Sequence, residues 1–68
     1  MEREYYIIKR TPWDYDKLPD YYAGLLGFTR NLYIVNIFHS MYQASEVIQN
    51  IKKSDPEAHN FTYSILRM

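Results

Sequence analysis

Polar and apolar positions change their period along this chain, and the changes mark its elements. Residues 4–10 centre on Tyr5, Tyr6, Ile7 and Ile8, aromatic and β-branched side chains that suit a pleated surface, and predict a first strand. Thr11-Pro12 is expected to end it, because proline brings no N–H to a sheet ladder. Residues 11–20, bracketed by Pro12 and Pro19 and carrying Asp14, Asp16 and Asp20, read as an irregular polar loop. Residues 21–29 read as a second strand, with Gly24 and Gly27 as bulges or points of close backbone approach. Arg30-Asn31 then makes a tight turn into a third strand over residues 32–38, completing a hairpin.

A period of 3.6 replaces this near Ser40. Met41, Ala44, Val47, Ile48 and Ile51 draw one apolar stripe on a helix, with Gln43, Glu46, Gln49, Asn50 and Lys53 opposite. Ser40 and Gln43 have the capping-box spacing, so the serine hydroxyl can take an orphan amide proton of the first turn. Lys52 and Lys53 complement the negative helix end, and Ser54-Asp55-Pro56 stops it. Residues 61–67 alternate again and predict a fourth strand with Phe61, Tyr63 and Ile65 facing the core. The expected fold class is α+β: a small antiparallel or mixed sheet of three to four strands, one helix on one face, in the order β-β-β-α-β. The fourth strand should lie beside the first, parallel to it if the connection is a right-handed crossover.

With 68 residues there is room for one domain. Hydrophobic residues at 47% place the chain with globular proteins, not with disordered ones. It has no cysteine, which excludes disulfides and thiolate metal sites. Eight basic residues balance eight acidic ones, against the basic excess that phosphate-backbone binding uses. Met1-Glu2-Arg3-Glu4 alternates charge without the apolar run of a signal peptide, and the apolar stretch over residues 32–38 is far short of the ~20 residues of a membrane span. A cytoplasmic protein with no membrane partner is expected. Asn60-Phe61-Thr62 is then a strand start, although it has the form of a glycosylation acceptor.

Candidate chemistry is sparse. The histidines, His39 and His59, flank opposite ends of the helix and cannot share a site. An EF-hand register from Asp14 would put Pro19 where glycine is required and Leu25 where glutamate is required, so calcium ligation fails. Gly24 and Gly27 make no phosphate-binding motif. No cofactor or metal, and no catalysis, is expected. What remains is surface. Eight tyrosines, three phenylalanines and one tryptophan outnumber what one helix can cover, which predicts an uncovered aromatic sheet face. The expected protein-binding residues are Trp13, Asp14, Tyr15, Asp16, Asp20 and Tyr21. The alternative is a small nucleic-acid-binding or regulatory domain using Lys9, Arg10, Lys52 and Lys53. Homodimerisation is compatible with both.

The runs Tyr6-Ile7-Ile8 and Tyr21-Tyr22-Ala23-Gly24, then Phe38-His39-Ser40 with Ala44 and Val47-Ile48, then Tyr63-Ser64-Ile65, resemble small accessory proteins of bacteriophages and mobile elements. The resemblance spans most of the chain and departs from it in the proline-bracketed loop. It implies a non-catalytic inhibitor acting in the host cytoplasm, one that binds and blocks a host enzyme or defence complex in the manner of an anti-CRISPR protein.

Overall fold

A computed structural model describes residues 4–68; the charged lead-in Met1-Glu2-Arg3 lies outside them. The elements are β1 (Tyr6–Pro12), β2 (Asp20–Tyr22), β3 (Phe28–Thr29), α1 (Met41–Ser54) and β4 (Phe61–Arg67), with single 3-10 turns at Gly24–Leu26, Leu32–Ile34 and Ala58–Asn60. They form one four-stranded antiparallel sheet in the order β3-β2-β1-β4 beside a single helix, the expected α+β class.

Helix α1 follows the pattern read from its sequence except at Met41, the first residue of the expected stripe, which is 55% exposed. Ser40 Oγ accepts from the Tyr42 and Gln43 amides at 3.0 and 3.4 Å, satisfying two first-turn donors. Ala44 and Ile48 are buried and pack with Tyr6, Ile8 and Phe38, while Val47, Tyr22, Tyr63 and Ile65 close around that cluster. Ile8, fully buried at 0% exposure, sits at its centre on β1.

Four departures from the expected layout have local causes. First, β1 continues through Pro12, whose register partner on β4 is Phe61. The Trp13 amide donates to Asn60 O on the β4 side, so by alternation the proline nitrogen faces the other side, where β2 has ended. Second, the chain over residues 21–29 is a tight hairpin. Gly24 and Gly27 take φ of 65° and 79°, Ala23 donates to Gly27 O at 2.8 Å, and β2 and β3 are left as short arms. Third, the residue 32–38 run is not a full strand. Asn31 Oδ1 captures the Tyr33 amide and winds a 3-10 turn. Phe38 then forms the run's one β-bridge, exchanging two 2.8 Å hydrogen bonds with Tyr6 where β2 has already left β1, and the Asn36 amide donates to Tyr22 O at 2.9 Å. Fourth, β4 is beside β1 as expected but antiparallel to it, in register from Tyr6↔Arg67 to Pro12↔Phe61. The helix starts three residues after the Phe38 bridge, at the Tyr6 end of β1, and its connection delivers the chain back at the Pro12 end.

The pleat sorts the side chains. Tyr6, Ile8, Arg10, Tyr22, Phe28, Phe61, Tyr63 and Ile65 share the helix side, and Ile7, Lys9, Thr11, Tyr21, Thr62, Ser64 and Leu66 share the other. The expected aromatic open face is therefore absent from the described strands, where that side carries one ring, Tyr21, with Lys9, small polar residues and the apolar pair Ile7 and Leu66, of which Ile7 is buried. The exposed aromatics stand on loops and on the first helical turn: Trp13, Tyr15, Tyr33 and Tyr42.

Candidate functional site: a cleft beside Trp13

Where β2 pairs with β1, toward the Pro12 end of the sheet, the helix side holds an Arg-aromatic cluster. Arg10 points to the helix side from β1. Its Nε and Nη2 donate to the two carboxylate oxygens of Asp20 at 2.9 and 2.7 Å, the parallel fork that guanidinium geometry favours. The guanidinium carbon lies 3.7 Å from the Phe28 ring centre and 4.1 Å from that of Phe61, so the cation rests on two aromatic faces. Burial works against the charged form, but the hydrogen bonds and charge of Asp20 outweigh it and hold the Arg10 pKa above its ordinary value. The Tyr63 hydroxyl beside it is buried without a hydrogen-bond partner. Burial pushes that phenol above its usual value, and the Arg10 charge offsets part of the rise.

Next to this cluster opens a cleft of about 530 Å³. Trp13 and Phe61 supply its apolar walls, and carboxylates come from two segments, Asp14 from the loop after β1 and Asp55 and Glu57 from the helix-stop segment. Local hydrogen bonds orient each acid. Asp14 Oδ1 accepts from the Asp16 amide, Asp55 Oδ1 from the Glu57 amide, and Glu57 Oε2 from Asn60 Nδ2, at 3.0, 2.9 and 2.8 Å. The ion pairs among the described residues are Arg10–Asp20 and Arg67–Glu4, so the three cleft carboxylates are uncompensated by a direct ion pair. Lys17 also lines the cleft, and the Arg10 charge is balanced by Asp20. The net character is acidic. Trp13 is 69% exposed and stands as a free wall, its far side facing a second hollow with Lys52, Ala58 and His59.

Of the residues expected to bind protein, Trp13 and Asp14 line the cleft, and Tyr15 and Asp16 project from the turn at its edge. Asp20 is committed to Arg10, and Tyr21 lies on the opposite side of the sheet, paired with Lys9. The four cations of the nucleic-acid alternative do not converge: Arg10 is bound to Asp20, Lys9 points to the opposite side, Lys52 lies 5.9 Å from the Tyr63 ring and Lys53 is exposed on the last helical turn. Sequence reading missed Asp55, Glu57 and Phe61 as site residues. The antiparallel β1–β4 register, with Phe61 opposite Pro12, is what carries the helix-stop segment to Trp13. His39 packs edge-on to Tyr5, and His59 Nδ1 meets Pro56 O at 2.9 Å, each at its own end of α1.

Among the described residues, no three His, Asp or Glu side chains gather as a metal site, and no helix is long and apolar enough to cross a membrane. Searches against family models, curated proteins and solved structures find no match to this chain.

Proposed function

We propose that this chain is a protein-binding module that receives a basic side chain of its partner in the Trp13 cleft. The observation that carries the reading is the pairing of an exposed indole wall with three carboxylates that have no ion-pair partner among the described residues. A lysine or arginine entering there would meet the Trp13 face in a cleft also lined by the carboxylates of Asp14, Asp55 and Glu57. A cation on an aromatic face contributes roughly 0.5–2 kcal/mol, more as water is excluded. The elements that hold the cleft favour a preformed receptor: β1 and β4 register one wall, and the helix-stop turns fix the other. The resemblance to phage accessory proteins makes a host enzyme or defence complex the class of partner, with binding and blockade, not catalysis, as the activity.

A random peptide library displayed against the intact chain tests this. Enrichment of sequences with a central arginine or lysine, lost against both Trp13→Ala and the double variant Asp14→Asn/Asp55→Asn, is the expected result. Enrichment of acidic or purely apolar sequences would contradict it, as would basic sequences that bind the variants equally well. Binding of nucleic acid with a steep salt dependence would move the function to the Lys/Arg alternative.

A further inference from the structure

A second exposed apolar stretch lies outside the residues that line the Trp13 cleft. Between Asp20 and Glu46 the chain carries a single formal charge, Arg30, while the rest of its eight basic and eight acidic residues lie outside that stretch. The same stretch is unusually exposed. Leu25 and Tyr33 are 108% and 99% exposed, Leu26 and Tyr42 71% and 73%, and Ile37 and Met41 50% and 55%. The pieces adjoin. A Cβ on Gly24 would lie 3.4 Å from Asn36 Oδ1, the Asn36 amide donates to Tyr22 O, and α1 begins three residues after the Phe38 bridge.

We propose that this charge-free stretch is a self-association surface, covered in solution by the same stretch of a second copy of the chain. Two observations select that occupant. An isologous interface sets a patch against itself, so any net charge on it repels its own copy; a stretch with one charge in twenty-odd residues avoids that, and charge depletion with Tyr, Leu and Met enrichment is the composition of an interface core. The area also suffices. At roughly 200 Å² per fully exposed side chain of this size, the six residues present about 900 Å², against the ~800 Å² that each partner gives to a standard interface. The fold gains from it, because the buried apolar set among the described residues is eight side chains, three of them alanine, and no disulfide is available to reinforce so small a core.

Sedimentation equilibrium of the full chain over about 1–100 µM decides the matter. The expected result is a mass rising with concentration from 8.3 kDa to a plateau at twice that value. Tyr33→Asp should weaken association by at least about tenfold with an unchanged far-ultraviolet spectrum, and Tyr15→Asp, equally exposed but outside the stretch, should not. A mass of 8.3 kDa throughout would overturn the proposal, as would growth past the dimer without a plateau or a Tyr33→Asp chain that associates like the parent. If Tyr33→Asp fails to fold, Leu25→Asp takes its place. The parent's concentration series stands without either variant, and none of these outcomes bears on peptide binding at the Trp13 cleft.

Discussion

Removing the Arg10–Asp20 contact tests whether this cluster locks the open end of the sheet. Arg10 sits on the central strand β1, and Asp20 is the first residue of β2, so their two hydrogen bonds close the last register pair between these strands. The side chains are 17% and 20% exposed, between the surface regime of 0–1 kcal/mol and the 3–5 kcal/mol cost of breaking a buried pair. A coupling energy of about 1–2 kcal/mol is expected from a bidentate pair in that setting. A double-mutant cycle of Arg10→Met and Asp20→Asn, followed by urea unfolding with circular dichroism, isolates it; methionine retains an unbranched chain against Phe28 and Phe61, and asparagine retains the shape of the acid. Arg10→Met alone should lose about 2–3 kcal/mol, because it also removes the cation from two aromatic faces. For a domain whose whole stability is of order 3–10 kcal/mol, that is a large fraction. A coupling below about 0.3 kcal/mol would refute the reasoning by placing the pair in the screened surface class, and stabilisation by Arg10→Met would show that desolvation outweighs the contacts.

Gly27 has φ 79° and ψ −116°, the mirror of the ordinary extended region, with open space around it. Gly27→Ala should therefore destabilise by about 1–2 kcal/mol through backbone strain alone, and an unchanged urea midpoint would contradict the hairpin geometry. Tyr63→Phe removes a buried hydroxyl with no partner and should be neutral or stabilising by up to about 1 kcal/mol at pH 7; a loss above that would reveal a partner for the hydroxyl. Alkaline stability follows from the same group. Tyr63 and Tyr6 both titrate above 10.0, Tyr63 through burial and Tyr6 through its hydrogen bond to Glu4, so the unfolded chain releases these protons first. Their contribution is complete below pH 10 and is lost as pH rises through the native values, and Tyr63→Phe should make the decline shallower. A decline of equal steepness in both chains would contradict it.

The helix was legible because its information is local: an N-cap serine, a 3.6-residue stripe and a proline stop lie within 17 residues and act without the rest of the fold. Strand β4 was legible from alternation, and its exposure alternates as expected through Phe61, Tyr63 and Ile65. The residue 21–38 stretch was not. Tyr, Leu, Ile and Phe there satisfy strand composition, but two positive-φ glycines and the Asn31 side chain redirect the backbone into turns, and composition carries no record of φ. The extension of β1 through Pro12 depended on which side of the strand β2 abandons, a tertiary fact. The cleft was half visible. Trp13 and Asp14 announce themselves in a polar loop, whereas Asp55, Glu57 and Phe61 become their neighbours only through the β1–β4 register.

The most direct test of the Trp13 cleft is the fluorescence of its own wall, since the chain holds one tryptophan. Titrating the intact chain with two peptides of equal length, one arginine-centred and one glutamate-centred, should shift and saturate the Trp13 emission with the first only. The response should weaken in Asp14→Asn/Asp55→Asn and fall with added salt. An emission that ignores both peptides, or responds equally to them, would contradict the assignment of the cleft as a receptor for a basic side chain.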